Sequence, residues 1–71
     1  MQRFVLTLTA DGWKLTIIDM NYGPTSELLA TVAPELNNAL HAEARRVAQI
    51  YGATPPRYWD WRREGPGEYT A

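Results

Sequence analysis

Hydrophobic and polar residues alternate regularly near the amino end of the chain. The stretch "FVLTLTADGWKLTIID", residues 4–19, keeps this alternation on both sides of the dipeptide Asp11-Gly12. A period of two is typical of strands with one buried face, and Asp-Gly tolerates the positive φ angles of a two-residue type I′ turn. The pattern therefore predicts a β-hairpin over residues 3–20, with Asp11 and Gly12 as its loop.

This position of the loop also predicts which residues lie opposite one another. On one face the cross-strand pairs would all be apolar: Ala10 with Trp13, Leu8 with Leu15, and Leu6 with Ile17. The other face would be mixed, because it places threonines and a lysine beside Val5 and Ile18. We therefore expect the apolar face to be buried and the mixed face to be open to water.

The segment after the hairpin is predicted to turn. "NYGPTS", residues 21–26, has the composition of a turn, and Gly23-Pro24 is expected to end the second strand. The turn would then reset the direction of the chain.

Residues 26–33 fit two interpretations. In a strand, Leu28, Ala30 and Val32 would share one face and the strand would stop before Pro34. In a helix, the leucines would lie on one side, but Pro34 would fall in the interior, where it removes a hydrogen bond. The sequence leaves both open.

Apolar residues at spacings of three and four predict an α-helix over residues 34–51. The stripe consists of Leu36, Leu40, Ala44, Val47 and Tyr51. Pro34 is tolerated in a first helical turn, where its missing N–H would have no partner. Gly52 suits the end of the helix, and Pro55-Pro56 prevent its continuation.

Residues 55–71 form an aromatic tail that begins "PPRYWDWRREGPG". Tyr58, Trp59 and Trp61 favour extended structure, so we expect a short strand near residues 57–62. Together the elements predict a single α+β domain over residues 1–71. Its small antiparallel sheet would contain the hairpin and one or two further short strands, with one main helix packed on one face.

The small size of the chain limits its core. A domain of 71 residues buries only about 60% of the surface of its unfolded chain, and the sequence has no cysteine to form a disulfide or a thiolate metal site. Stability must then come from packing or from association. A homodimer and a permanent protein partner are both open expectations.

The charge balance disfavours nucleic acid as the partner. Seven Lys and Arg against eight Asp and Glu give a formal net charge of −1, whereas nucleic-acid binders usually carry a basic excess that neutralises phosphates. The amino terminus has the features of neither a signal peptide nor a membrane span. We therefore expect a cytoplasmic protein that does not engage a membrane.

The inventory of reactive side chains predicts no enzyme. His41 is the only histidine and Ser26 the only serine, and no spacing brings them together. Asp19, Glu27 and Glu35 show no spacing that demands a carboxylate pair. We assign no catalytic residue, no metal ligand and no cofactor.

The tail is the candidate contact surface, because Trp, Tyr and Arg dominate interface hot spots. The residues assigned to partner binding are Arg57, Tyr58, Trp59, Trp61, Arg62, Arg63, Arg45 and Arg46. Two other interpretations stay open. Trp59 and Trp61 would close the core as a lid, or the aromatic rings would stack the bases of a single-stranded nucleic acid while the arginines follow its backbone.

The predicted layout consists of a hairpin, an Ala-rich helix ending in Tyr51-Gly52, and an aromatic tail. This layout resembles the small α+β proteins of phages and mobile elements, including some anti-CRISPR proteins. This resemblance implies an inhibitor that covers a surface of a larger host complex. The layout also resembles the truncated RNase-H-like fold of HicB-type antitoxins, which bind a protein partner without catalysis. Arm-type DNA-binding domains of phage integrases share a three-stranded sheet and a helix, but the sheet here offers few cations. No specific motif supports these resemblances, so they assign no residue roles.

Overall fold

A computed structural model describes residues 2–19, 23–30 and 35–71 and shows an α+β fold. The elements of the described part of the chain are β1 (Gln2–Thr9), β2 (Gly12–Asp19), β3 (Gly23–Leu28), α1 (Asn38–Ile50), β4 (Arg62–Gly65) and β5 (Glu68–Thr70). The five strands form one antiparallel sheet in the order β3-β2-β1-β5-β4, and α1, with 13 residues, is the single helix among the described residues. The predicted fold class is confirmed, with three strands added to the hairpin instead of one or two.

Strands β1 and β2 form the predicted hairpin, but the predicted loop is wrong by one residue. Thr9 lies opposite Gly12, so Ala10 and Asp11 form the loop. A type I′ turn at Asp11-Gly12 would need a positive φ at Asp11, and in the hairpin only Gly12 has one, at 121°. The Thr9 hydroxyl fixes the observed loop, because it donates to the Gly12 carbonyl at 2.7 Å and accepts from the Asp11 N–H at 3.2 Å.

This change in the loop leaves the two faces of the hairpin as predicted. Moving the loop by one residue moves every partner by two, and side chains two apart lie on the same face. The observed apolar pairs are Phe4 with Ile17, Leu6 with Leu15, and Leu8 with Trp13. The apolar side chains are mostly buried, Trp13 being 1% exposed and Leu8 at the margin 37%.

The core lies between this face of the sheet and the helix. Its buried members are Phe4, Leu6, Trp13, Leu15, Ile17, Leu29, Leu40, Ala44, Val47, Ala48 and Ala53. Each of the larger side chains in this core, such as Leu or Phe, contributes about 1.5–3 kcal/mol when it is fully removed from water. The core is therefore assembled mainly from the first hairpin and one face of α1.

The predicted turn over residues 21–26 is wrong from residue 23 onward, because β3 begins there. Gly23 pairs with Asp19 and Pro24 pairs with Ile18. Proline is tolerated at the start of an edge strand, and β3 is an edge strand of the sheet. Residues 21 and 22 lie outside the described residues.

Residues 26–28 lie in β3, so the strand interpretation of residues 26–33 is correct for that part. Residues 31–33 lie outside the described residues. Leu28 is 53% exposed, whereas Leu29, which follows the strand, is 4% exposed. Leu28 pairs with Lys14 on the open face, and the Leu29 N–H donates to the Trp13 carbonyl at 2.7 Å beyond the end of the strand.

Helix α1 begins later than predicted, at Asn38 instead of residue 34. Asn37 has extended backbone angles, and its side-chain oxygen accepts the Leu40 N–H at 2.8 Å. This bond satisfies one of the N–H groups that the first helical turn leaves free, so Asn37 fixes the start. Glu35 and Leu36 precede the helix, and Pro34 lies outside the described residues.

The predicted helix end at Gly52 is confirmed. Gly52 has a φ of 77°, its N–H donates to the Gln49 carbonyl at 3.0 Å, and the Ala53 N–H donates to the Ala48 carbonyl at 2.9 Å. This is the Schellman arrangement, which glycine favours because it adopts the left-handed region without strain. Tyr51, predicted to lie on the buried stripe, is instead 47% exposed, and Ala48 is buried.

The predicted strand over residues 57–62 is wrong except at its last residue, where β4 begins. The chain forms a second hairpin instead, with Pro66 and Gly67 as its turn. Strand β5 pairs with β1, which places Tyr69 opposite Leu6. The Gly67 carbonyl also accepts the Leu8 N–H at 2.7 Å, so contacts with the first hairpin fix these strands.

Candidate functional site

The segment between α1 and β4 turns its two tryptophans toward the core. The Trp59 ring meets Phe4 edge to face at a centroid distance of 5.1 Å and stacks on Trp61 at 4.6 Å. The Trp59 indole N–H donates to the His41 carbonyl at 3.0 Å. Both tryptophans are half-buried and pack against the core. We call Trp59 and Trp61 the lid, because both pack against the core.

Arg45 connects the helix to this lid. Its guanidinium donates from Nη2 to the Arg57 carbonyl at 2.8 Å, and its Cζ lies 5.7 Å from the centroid of the Trp59 ring. Arg46 is exposed, and its Nη2 lies 3.8 Å from Glu43 Oε2. The helix arginines are thus engaged within the protein, Arg45 with the tail and Arg46 with its own helix.

Tyr58 points away from the core, in contrast to the tryptophans beside it. Its side chain is 78% exposed, the largest exposed fraction among the large hydrophobic residues of the described chain. The Cζ of Arg57 lies 5.8 Å from the centroid of the Tyr58 ring, within the range of a cation–π contact. The tail therefore presents an exposed aromatic ring, Tyr58, with the guanidinium of Arg57 in contact with it. We call this pair the rim.

A groove with a volume of about 330 Å³ lies between this ring and the sheet. We call it the Tyr58 groove. It is lined by Arg3, Pro56, Tyr58, Asp60, Arg62, Thr70 and Ala71. Within residues 2–19, 23–30 and 35–71, the guanidinium groups of Arg3 and Arg62 form no ion pair or hydrogen bond.

The sheet register explains why Arg3 and Arg62 come together. Arg62 pairs with Thr70, and Thr70 pairs with Val5, so Arg62 lies on the face of the sheet that Arg3 and Val5 share. Arg63, one residue along, pairs with Tyr69 and belongs to the opposite face. The structure thus separates the two neighbouring arginines of the tail.

Of the two arginines that line the groove, Arg3 is the one that the sequence analysis did not assign to partner binding. It stands near the amino end, and its approach to the tail depends on the pairing of β5 with β1, which the sequence did not reveal. The sequence carries one signal for it, because Arg3 is two residues from Val5 and therefore lies on the same mixed face of the hairpin. That signal gives the face but not the neighbour.

A second recess, of about 150 Å³, lies where the helix end meets the sheet. Its lining includes Tyr51 together with Gln2 and Asp19, and Gln2 Nε2 donates to Asp19 Oδ2 at 3.3 Å. No arginine lines it among the described residues. It therefore provides a comparison site with a tyrosine but without cations.

The described residues lack a cluster of metal-binding side chains and contain two buried polar atoms without a hydrogen-bond partner. They contain no group of three His, Asp or Glu side chains able to hold a metal ion. His41 Nε2 and Trp61 Nε1 are buried and make no hydrogen bond to the described part of the chain. None of the helices in that part is long and apolar enough to cross a membrane.

Comparison with known proteins gives no relative: no protein-family model matches the chain, and no curated protein and no solved structure shows significant similarity to it.

Proposed function

We propose that this chain is a non-enzymatic protein-binding domain whose contact surface is the Tyr58 groove and its rim. The observation that carries the proposal is the 78% exposure of Tyr58 in a tail whose other three aromatic residues pack against the core. Tyrosine and arginine are enriched among the residues that dominate binding energy, because they bury a large area with few rotatable bonds.

The lid supports this role by fixing the surface in advance. Trp59 and Trp61 hold the segment on both sides of Asp60, and Arg45 fastens the Arg57 carbonyl. A partner that binds Tyr58 would then order few groups, which lowers the entropic cost of association. The tryptophans therefore contribute to binding indirectly, by positioning Tyr58 and Arg57.

The form of action we propose is steric inhibition of a larger host complex in the cytoplasm. It is supported by the resemblance of the layout to small phage and mobile-element proteins and by the exposed Tyr58 on a surface fixed in advance. A chain without cysteine suits a reducing compartment.

Single-stranded nucleic acid is the second candidate partner. It is favoured by one observation, an exposed tyrosine ring in the same groove as two arginines that have no partner among the described residues. Salt separates the two candidates, because phosphate contacts release counterions and weaken steeply as salt rises. Binding that depends only weakly on salt supports the protein interface.

The test compares Tyr58→Ala with the matched variant Tyr51→Ala, whose tyrosine is exposed beside the recess that lacks arginine. A partner recovered by affinity capture from host cells is measured against each variant by biolayer interferometry. We expect Tyr58→Ala to weaken binding by about 2 kcal/mol or more and Tyr51→Ala to leave it nearly unchanged. Equal affinity of both variants, with folding confirmed by circular dichroism, would contradict the assigned surface.

A further inference from the structure

We propose that the Tyr58 groove binds an acidic peptide segment of a partner protein, with a partner carboxylate held between Arg3 and Arg62. This inference rests on the proposed function and specifies the chemistry of the partner. It is carried by two guanidinium groups that line one groove and have no partner among the described residues.

The first step of the argument is the donor chemistry of the groove. A guanidinium presents five N–H donors in a planar fork that matches a carboxylate, and such charge-assisted bonds are stronger than neutral ones. The nearby Thr70 hydroxyl donates to Glu64 Oε1 at 2.8 Å, so its proton is already used within the protein. Within the described residues, the N–H donors of the two arginines are unused.

The second step is the spacing of the two arginines. Arg3 is on β1 and Arg62 is on β4, and β5 lies between these strands. Neighbouring strands are about 4.8 Å apart, so the two backbones are separated by roughly 10 Å across the sheet. Two long side chains from that separation can approach one small anion from both sides.

The third step is the charge of the groove, which favours an acidic peptide over a nucleic acid. Among the side chains that line the groove, those of Arg3 and Arg62 contribute +2 and that of Asp60 contributes −1, a sum of +1. A phosphodiester backbone needs several cations along its path for useful affinity. A single carboxylate fits this balance better. The Tyr58 ring and Pro56, which also line the groove, offer apolar contact to the peptide residue next to the one that bears the carboxylate.

The test is a selection from a random-peptide display library on three proteins. They are the wild type, the double variant Arg3→Gln/Arg62→Gln, and the control Lys14→Gln, which removes an exposed positive charge outside the groove. We expect the wild type and the control to enrich peptides rich in Asp and Glu and the groove variant to lose this enrichment.

A second measurement uses the wild-type protein alone, so it does not depend on folding of the variants. The best peptide is synthesised with each Asp or Glu replaced by Asn or Gln. Its affinity should fall by at least about tenfold, because the paired charges are removed. An unchanged affinity would overturn the acidic assignment.

The remaining outcomes separate this inference from the proposed function. Enriched peptides without acidic residues that still need Tyr58 would overturn the inference and leave the protein-binding function intact. No enrichment on the wild type would overturn both. Tight binding of oligothymidylate that is lost in Arg3→Gln/Arg62→Gln would overturn both in favour of single-stranded nucleic acid.

Discussion

The two hairpins of this protein differ in the contacts that stabilise them. In the first, β1 and β2 have eight residues each and carry five of the buried core side chains. In the second, β4 and β5 have four and three residues, and only Thr70 is buried. The first hairpin is specified by its own alternation, whereas the second depends on what it packs against. Stability is therefore concentrated in one hairpin, and the proposed contact surface lies beside the other.

Two sets of contacts attach the second hairpin to the first. Strand β5 pairs with β1, and the Tyr69 ring lies 6.0 Å from Trp13 between centroids. The tail before β4 adds the contact of Trp59 with Phe4. A region with few buried groups of its own is expected to open more easily than the core. The difference between the hairpins can be tested by removing contacts on each side.

The largest effect is expected from Trp13→Ala, which removes the largest fully buried side chain of the first hairpin. Such a change typically costs about 3–5 kcal/mol, and a domain of this length has roughly 4–10 kcal/mol in total. Urea denaturation should show most of the stability lost. Tyr69→Ala, on the half-buried partner ring, should cost clearly less. Equal losses would mean that the second hairpin contributes as much to the core as the first.

An intermediate effect is expected from Trp59→Phe, and it should exceed that of Trp61→Phe. Both changes reduce the same stacked pair, but within the described residues only the Trp59 indole N–H of the two has a partner, the His41 carbonyl. Losing that bond should cost about 1 kcal/mol. In Trp61→Phe, loss of apolar contact is partly offset, because a buried N–H without a partner is removed. The measurement is urea denaturation of both variants. A larger loss in Trp61→Phe would contradict the assignment of Trp59 as the anchor.

The elements that the sequence predicts are those whose signals are local. Alternation reveals the first hairpin, the spacing of apolar residues reveals the helix, and Gly52 marks its end. The predicted loop and helix start are wrong because a few side-chain hydrogen bonds decide them, two at the Thr9 hydroxyl and one to the Asn37 side chain. On local grounds, Asp11-Gly12 is an equally acceptable hairpin loop, and Pro34 is an equally acceptable first residue of the helix.

The site was predicted only in part, because it depends on long-range pairing. Tyr58 and Arg62 stand out in the sequence, but their neighbour Arg3 is brought to them by the register of Leu6 opposite Tyr69. No periodicity in the tail indicates that register. The tail also looks uniformly rich in aromatic residues, and only packing shows that Trp59 faces inward while Tyr58 faces outward.

The smallest effect is expected from Thr70→Val, which removes the hydroxyl that donates to Glu64 Oε1 at 2.8 Å between β4 and β5. The Glu64 side chain is exposed and can be hydrated again, so global stability should fall by only about 0.5–1 kcal/mol. Amide hydrogen exchange is the sharper measurement. If the second hairpin opens as a separate unit, amides of β4 and β5 should exchange faster while those of the first hairpin do not change.

The matched control for Thr70→Val is Thr16→Val, which breaks a similar hydroxyl pair, Thr16 with Ser26 at 2.9 Å, between β2 and β3. It should leave exchange in β4 and β5 unaltered. Equal acceleration of both hairpins by Thr70→Val would mean that the sheet opens as one cooperative unit. The tail would then be as stable as the core, and the preorganisation of Tyr58 would come from the whole fold instead of from its tryptophan lid.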